Sequence, residues 1–466
     1  MNFFKRILLF TVFLAACGES KKEPIEVELP NPNPFPSTYV AEPHDAWAIQ
    51  NVTVLTGSGA RLDQAVIVVV DGKIQQIGAA IQVPAGATVI DGKGKWVTPG
   101  LIDVHSHMGV YSAPETANHA DGNEMTSPVT AQVWAEHSIW PQDPHFELSL
   151  AGGVTVLQVL PGSGNLIGGR GVTLKNVPSI TVQGKKYPGA PYSLKMACGE
   201  NPKRVYGGRK QAPSTRMGNM AGFRSAWIEA KQYQKDWQDY LKKAEQGDAD
   251  AKAPKRDLKL ETLQGVLAGE ILVHNHCYRA DEMVQMIDMS KEFGYQITAF
   301  HHAVEAYKVA PALAREDICA VVWADWWGFK QEAFDMVRQN LALVDLANAC
   351  GVIHSDDPID IQHLNQEVAK AMAAGNRLGL NITAEHAIRW VTHNAAKALG
   401  IDKETGSLEV GKNADIVLWD GDPFSVYTHA EKVWIDGVQH YDRYDKNLQR
   451  TSDFNVGVLD PEGERP

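Results

Sequence analysis

The sequence predicts an α/β fold: a (β/α)8, TIM-like barrel carrying a small β-sandwich domain assembled from both ends of the chain. Three observations predict it. Between residues 99 and 398, short apolar runs alternate with amphipathic segments, the pattern of repeated parallel βα units. On either side lie glycine-punctuated, β-rich stretches of one style, too short of helical periodicity to belong to the barrel. Finally, "LIDVHSHMG" (Leu101–Gly109) sets His105 and His107 two residues apart at the end of an apolar run. Strand alternation turns both imidazoles to one face, where they can grip one metal ion.

A length of 466 residues accommodates a barrel with an appended domain. Hydrophobic content of 44% and charged content of 21% describe a globular chain able to bury a large core. The net charge of −12 argues against a nucleic-acid partner, and no basic stripe interleaved with aromatics is present. Beyond the N-terminus no apolar run reaches the roughly 18 residues that span a bilayer.

The elements follow in order. Residues 1–17, "MNFFKRILLFTVFLAAC", have a basic start and a short apolar stretch ending in cysteine, the layout of a secretory signal. The ending "LAAC" resembles a bacterial lipobox, which implies lipidation of Cys17. The mature protein is then exported, anchored by lipid alone and facing the periplasm; Gly18 after the cysteine points to the outer membrane. Residues 18–44 are polar and proline-rich and read as a flexible tether. Residues 45–98 supply the N-terminal part of the β-sandwich, with "DGKI" as a hairpin turn. Residues 99–398 form the barrel, 399–445 the C-terminal part of the sandwich, and 446–466 a tail. Arg224 to Arg256 is highly charged and reads as a solvated helix and loop. Cys198, Cys277, Cys319 and Cys350 lack framework spacing and are expected to be buried and unpaired.

In a barrel of this kind the chemistry sits at the C-terminal strand ends. After His105 and His107, those ends offer Lys195, then His274 or His276, then His301 or His302, then Asp356 or Asp357. Each alone is weak; four strand ends carrying metal-competent groups in register point to a metal site.

This order, bracketed by split β-domain halves, resembles the amidohydrolase superfamily of metal-dependent hydrolases. "VTPGLIDVHSHMG" is similar to its first-strand signature, and "THNAAKALGIDKETGSLEVGKNADIVLWDGDP" to its return into the β-sandwich. The resemblance is strongest to the imidazolonepropionase-like and prolidase-like branch. It implies a metal-binding set of His105, His107, Lys195, His274, His302 and Asp356. His274 is favoured over His276, which is left for substrate, because the branch's ligand follows the last apolar residues of the strand. "HAVEAY" is similar to the family's H-G-x-E-A-Y and selects His302, leaving His301 to outer-face packing. A small residue before the family aspartate selects Asp356, and His354 shares its face.

The resemblance further implies two divalent ions per chain, zinc before manganese or iron. "SLKMACGE" is similar to a strand of isoaspartyl dipeptidases, which implies a CO2-derived carbamate on Lys195 (a carboxylysine) bridging the ions; Glu200 is the competing bridge. The implied function is hydrolysis of a C–N bond by metal-activated hydroxide, with Asp356 as general base and then acid. A dipeptidase, including an Xaa-Pro dipeptidase, is the alternative. A deaminase ranks lower, because Cys277 stands where the shuttle glutamate is placed three residues after His274. A non-catalytic binding lipoprotein ranks lower as well. The partner is a small-molecule amide or dipeptide, with homo-oligomerisation open. Arg279 and Tyr307, just beyond the ligand positions, are candidates for a substrate carboxylate.

Overall fold

A computed structural model describes residues 24–448; Cys17 and the 449–466 part of the tail lie outside them. The N-terminal β-rich stretch forms β1 (Trp47–Leu55), β2 (Arg61–Val70), β3 (Lys73–Gly78), β4 (Thr88–Asp91) and β5 (Trp96–Pro99). The middle supplies β6 (Leu101–Ser106), β7 (Val154–Val159), β8 (Ile167–Lys175), β9 (Ser193–Ala197), β10 (Leu272–Cys277), β11 (Ala299–His302), β12 (Cys319–Val322) and β13 (Cys350–Ile353). The C-terminal stretch adds β14 (Ile416–Trp419), β15 (Ala430–Ile435) and β16 (Val438–Asp442).

Strands from the two chain ends share one sheet. Its order is β16-β15-β14-β5-β1-β2-β3, with β4 on β1, and β5 pairs antiparallel with β14. Buried runs such as Trp47–Ile49 on β1 and Ile67–Val69 on β2 are interrupted by open positions. Trp47, Ile49, Val54, Ile67, Val97, Ile416 and Trp434 pack into a core of their own.

The second sheet runs β6 to β13 in chain order and curls nearly closed. The Asp356 N–H, just past β13, donates to the His105 carbonyl on β6 at 3.0 Å. Its strands are buried almost throughout, as expected of strands covered on both faces. One strand departs from the all-parallel expectation: β8 is antiparallel to both β7 and β9. The connection from Val159 to Ile167 contains no helix; parallel neighbours need a crossover of a dozen residues or so, and a link this short makes a hairpin.

The long helix Arg216–Glu245 is capped by the Thr215 side chain, which accepts from the Gly218 N–H. It is not solvated all round. Phe223, Trp227, Ala230, Tyr233 and Trp237 recur at helical spacing and are buried, so one stripe is core and the charges occupy the rest.

The described part of the expected tether is docked. The Ile25 N–H donates to the Ala244 carbonyl at 2.9 Å and the Thr38 N–H to the Gln183 carbonyl at 3.0 Å. Lys186 donates to the Phe35 carbonyl at 2.7 Å and Arg170 to that of Pro32 at 3.2 Å.

The four barrel cysteines form two disulfides, Cys198–Cys277 and Cys319–Cys350, correcting the expectation of free thiols. Cys319 and Cys350 are register partners on the parallel strands β12 and β13, and Cys198 follows β9 while Cys277 ends β10. Parallel pairing makes neighbours of residues 31 and 79 apart in sequence, a proximity that spacing alone does not display.

Candidate metal centre

The site forms where β6, β9, β10, β11 and β13 end together. On β6 and just past it, each histidine is held through Nδ1. His107 Nδ1 faces the Leu160 carbonyl at 2.8 Å and His105 Nδ1 faces His301 Nδ1 at 2.9 Å. Both Nε2 atoms therefore turn to the same place. They lie 3.1 Å (His107) and 3.3 Å (His105) from Asp356 Oδ1. Fixing one ring nitrogen so that the other is aimed is how ligand histidines are oriented.

Lys195 enters from β9. It is 1% exposed, and its Nζ stands 2.9 Å from His105 Nε2. In the sheet it is the register partner of His274, so its long side chain carries the amine from a deep position up to the histidines. Glu200 begins the next helix and sits beside Lys330, 3.6 Å away.

On β11 the structure departs from the expectation for His301. Residue 302 has φ of +65° and Ala303 follows at +35°. The backbone turns left-handed there, so strand alternation ends and adjacent side chains need not oppose each other. His301 is not outer-face packing: its ring lies between His105 and His274, with Nε2 2.7 Å from His274 Nδ1. His274 is thereby tied into a supporting chain, His105–His301–His274. The ring of His276 instead faces that of His302, centroids 4.5 Å apart.

Asp356 also has a positive φ, +62°, which swings its carboxylate over the histidines; its Oδ2 is 3.8 Å from His302 Nδ1. Asp357 serves a turn, its Oδ1 accepting from the N–H groups of Ile359 and Asp360 at 2.8 and 3.0 Å. Two sets of donor atoms each lie within 4.8 Å of one another: His105, His107 and Asp356, and His105, His302 and His354. Sequence left His354 at the border; its ring stacks on His105 at 5.2 Å.

These residues fit a metal ion. His274 Nε2, His276 Nδ1, His302 Nδ1 and both nitrogens of His354 are buried without a hydrogen-bond partner, an arrangement that costs energy unless a ligand satisfies it. Burial holds His105, His276, His301 and His302 well below the ordinary histidine range and brings His274 and His354 to about 3. The imidazoles are therefore neutral at pH 7, the form that binds metal. Burial pushes Asp356 up, but the hydrogen bond and charge of His107 outweigh it and keep the carboxylate ionised. Burial lowers Lys195 to about 7.

Arg279 and Tyr307 are committed elsewhere. Arg279 forms a two-pronged pair with Asp281, at 2.9 and 3.0 Å, on an exposed helix start. The Tyr307 hydroxyl donates to the Asp335 carbonyl at 3.1 Å. The carboxylate-binding role expected of them finds no support in these contacts. Sequence reasoning missed the groups that do border the site. Tyr278 and Trp323 stack on His302 with centroids 5.3 and 4.2 Å away, and Lys330 lies over the Tyr278 ring at 4.1 Å. The signal was the run "WADWWGFK" leaving β12, too aromatic for an ordinary surface loop.

Comparison with known proteins accords with this geometry. The model of the Amidohydrolase family matches residues 342–448. Amidohydrolase tasK of Hapsidospora irregularis is 34% identical over 414 residues, covering 85% of this chain, which spans 40% of that protein's length. An imidazolonepropionase of Shewanella frigidimarina is 26% identical over 447 residues, covering 84% of this chain and 94% of its own. The crystal structure of an amidohydrolase from Thermotoga maritima MSB8 superposes with a TM-score of 0.78 at 35% identity, over 85% of this chain and all of that one. The chain belongs to the amidohydrolase family and is a hydrolase acting on carbon–nitrogen bonds.

Proposed function

We propose that the protein is a binuclear amidohydrolase in which His105, His107 and Asp356 hold one divalent ion and His276 and His302 a second, with Lys195 between them as a carbamate. The observation that carries this reading is the convergence of five strand ends on buried, neutral imidazoles whose free nitrogens lack partners. The nitrogen-rich donor set favours zinc over manganese or iron. His276 is preferred to His274 as the ligand from β10, because its ring meets that of His302 at 4.5 Å, whereas the ring of His274 meets that of His301.

Lysine binds CO2 only as the neutral amine, and an amine brought to about 7 by burial is substantially neutral at physiological pH. The charge of Asp356 favours the protonated amine, but burial outweighs it. Glu200 does have a cation, Lys330, which favours Lys195 as the bridge.

Bound divalent metal supplies Lewis-acid polarisation of an amide carbonyl and an acidified water. The chain's own residues do the rest. Asp356, kept ionised beside His107, accepts the proton of the attacking water and returns it to the leaving nitrogen. His301 holds His105 and His274 in place from below. Trp323 and Tyr278 cover one side of His302 and exclude solvent from it.

The test is to load the purified protein with zinc or manganese and screen amides, dipeptides, N-acyl amino acids and cyclic amides. Release of an amine that chelation abolishes and metal restores is expected; metal-independent turnover, or none, overturns the reading.

The sheet built from both chain ends is read as the small β-sandwich domain. Export with lipidation of Cys17 is part of the same proposal. Two disulfides, features of oxidising compartments, support it. Intact mass of membrane-extracted protein should show an acylated N-terminus at Cys17; a soluble, unmodified chain would refute it.

A further inference from the structure

The loop that leaves β12 builds a wall beside the metal centre, of which the hydrolytic reading uses only Trp323. Trp323 stacks on His302, and Trp326 stacks on Trp323 with centroids 5.0 Å apart and planes 11° from parallel. Phe329 meets Trp323 edge-on at 5.6 Å and is 53% exposed. At the end of this aromatic shelf stands Lys330. Its Nζ lies 4.1 Å over the Tyr278 ring, donates to Asn201 Oδ1 at 3.2 Å, and is 3.6 Å from Glu200. Asn201 Nδ2 in turn lies 3.5 Å from His276 Nε2. Lys330 is thus one side chain removed from both His276 and His302.

The loop does not need Lys330 to hold it. Trp323 Nε1 donates to the Ser355 carbonyl at 3.0 Å, Glu332 accepts from the Glu200 N–H at 3.0 Å, and Arg216 pairs with Glu332. An ammonium has three donors, and Asn201 and Glu200 take up two at most. Taking a cation largely out of water is costly unless something compensates it. Burial lowers the Lys330 ammonium from its usual range, and the charge of Glu200 opposes that shift.

We propose that Lys330 is a specificity-determining residue: it receives a free carboxylate on the substrate, while an adjacent apolar or aromatic group lies on the Trp323–Trp326–Phe329 shelf. The substrate class is then amides of the N-acyl amino acid or dipeptide kind with a bulky apolar side chain. This inference rests on the metal-hydrolase reading of the neighbouring site.

The test measures binding, so it does not depend on turnover. Metal-loaded protein is titrated calorimetrically with N-acetyl-L-phenylalanine and with N-acetyl-L-phenylalaninamide, which differ in the carboxylate. Wild type is expected to prefer the acid by on the order of tenfold or more, the size of a hydrogen bond to a charged group. Lys330→Met should erase that preference and Lys330→Arg should keep most of it. A lysine that merely braces the loop would shift thermal stability and leave the preference intact. Equal affinity in wild type, including binding of neither ligand, overturns the proposal. So does a preference that survives in Lys330→Met, which would assign the carboxylate to the metal. The same samples are followed for release of acetate or ammonia, so loss of hydrolysis and loss of carboxylate preference are read separately.

Discussion

The Nζ atom of Lys195 stands 2.9 Å from Nε2 of His105, and both groups are buried. An amine in that position, brought to about 7 by burial, is placed to become an anionic bridge between neutral imidazoles. Lys195→Ala is therefore expected to lower the bound metal from two ions per chain to at most one, and Glu200→Gln to leave two. Elemental analysis of the purified variants checks this. Loss of a metal in the glutamine variant alone would reverse the choice of bridge.

The two histidines of β10 should separate in the same measurement. His276→Ala removes a proposed ligand and is expected to cost one ion. His274→Ala removes a hydrogen-bond partner of His301, so both ions remain with affinity weakened about 10- to 100-fold, as for outer partners of ligands. The opposite pattern would return the ligand role to His274.

Asp356→Asn keeps the shape of the side chain and removes its ability to take a proton. A drop in kcat of about 10²- to 10⁴-fold is expected, read on whichever amide the screen identifies. Activity within tenfold of wild type would exclude Asp356 as the proton carrier.

Between the two sheets, Lys175 is 2% exposed and reaches Asp436 at 2.8 Å and Asp415 at 3.9 Å. Tyr39 donates to the same Asp436 carboxylate at 2.7 Å. Lys175→Met leaves the buried Asp415 beside the half-buried Asp436 with no cation between them, and breaking a buried pair in this way costs about 3–5 kcal/mol. Denaturant unfolding of the variant measures it; a loss below about 1 kcal/mol would show the cluster to be solvated.

Much of this organisation was legible in the sequence, and the failures have physical causes. Alternation placed His105 and His107 on one side of β6, and the strand ends at Lys195, His274 or His276, His301 or His302, and Asp356 or Asp357 marked the converging rim. Alternation then misassigned His301, because the left-handed backbone at His302 and Ala303 ends it. The choice between His274 and His276 turns on depth along a strand, which depends on what a neighbouring strand presents: His301 meets His274 and His302 meets His276. Arg279, a candidate for a substrate carboxylate, is paired instead with Asp281, two residues on. The reversed β8 followed from a link too short for a crossover, a cue that strand periodicity does not carry.

The oxidised cysteines give the barrel a property that its hydrogen bonds cannot. Cys198 and Cys277 bracket the whole excursion from β9 to β10, including the helix Arg216–Glu245 and the polar segment after it. A protease that nicks that exposed segment leaves two fragments still tied beside the metal centre. They run as one band until a reductant releases them. Damage at that exposed loop would then be a scar rather than a loss.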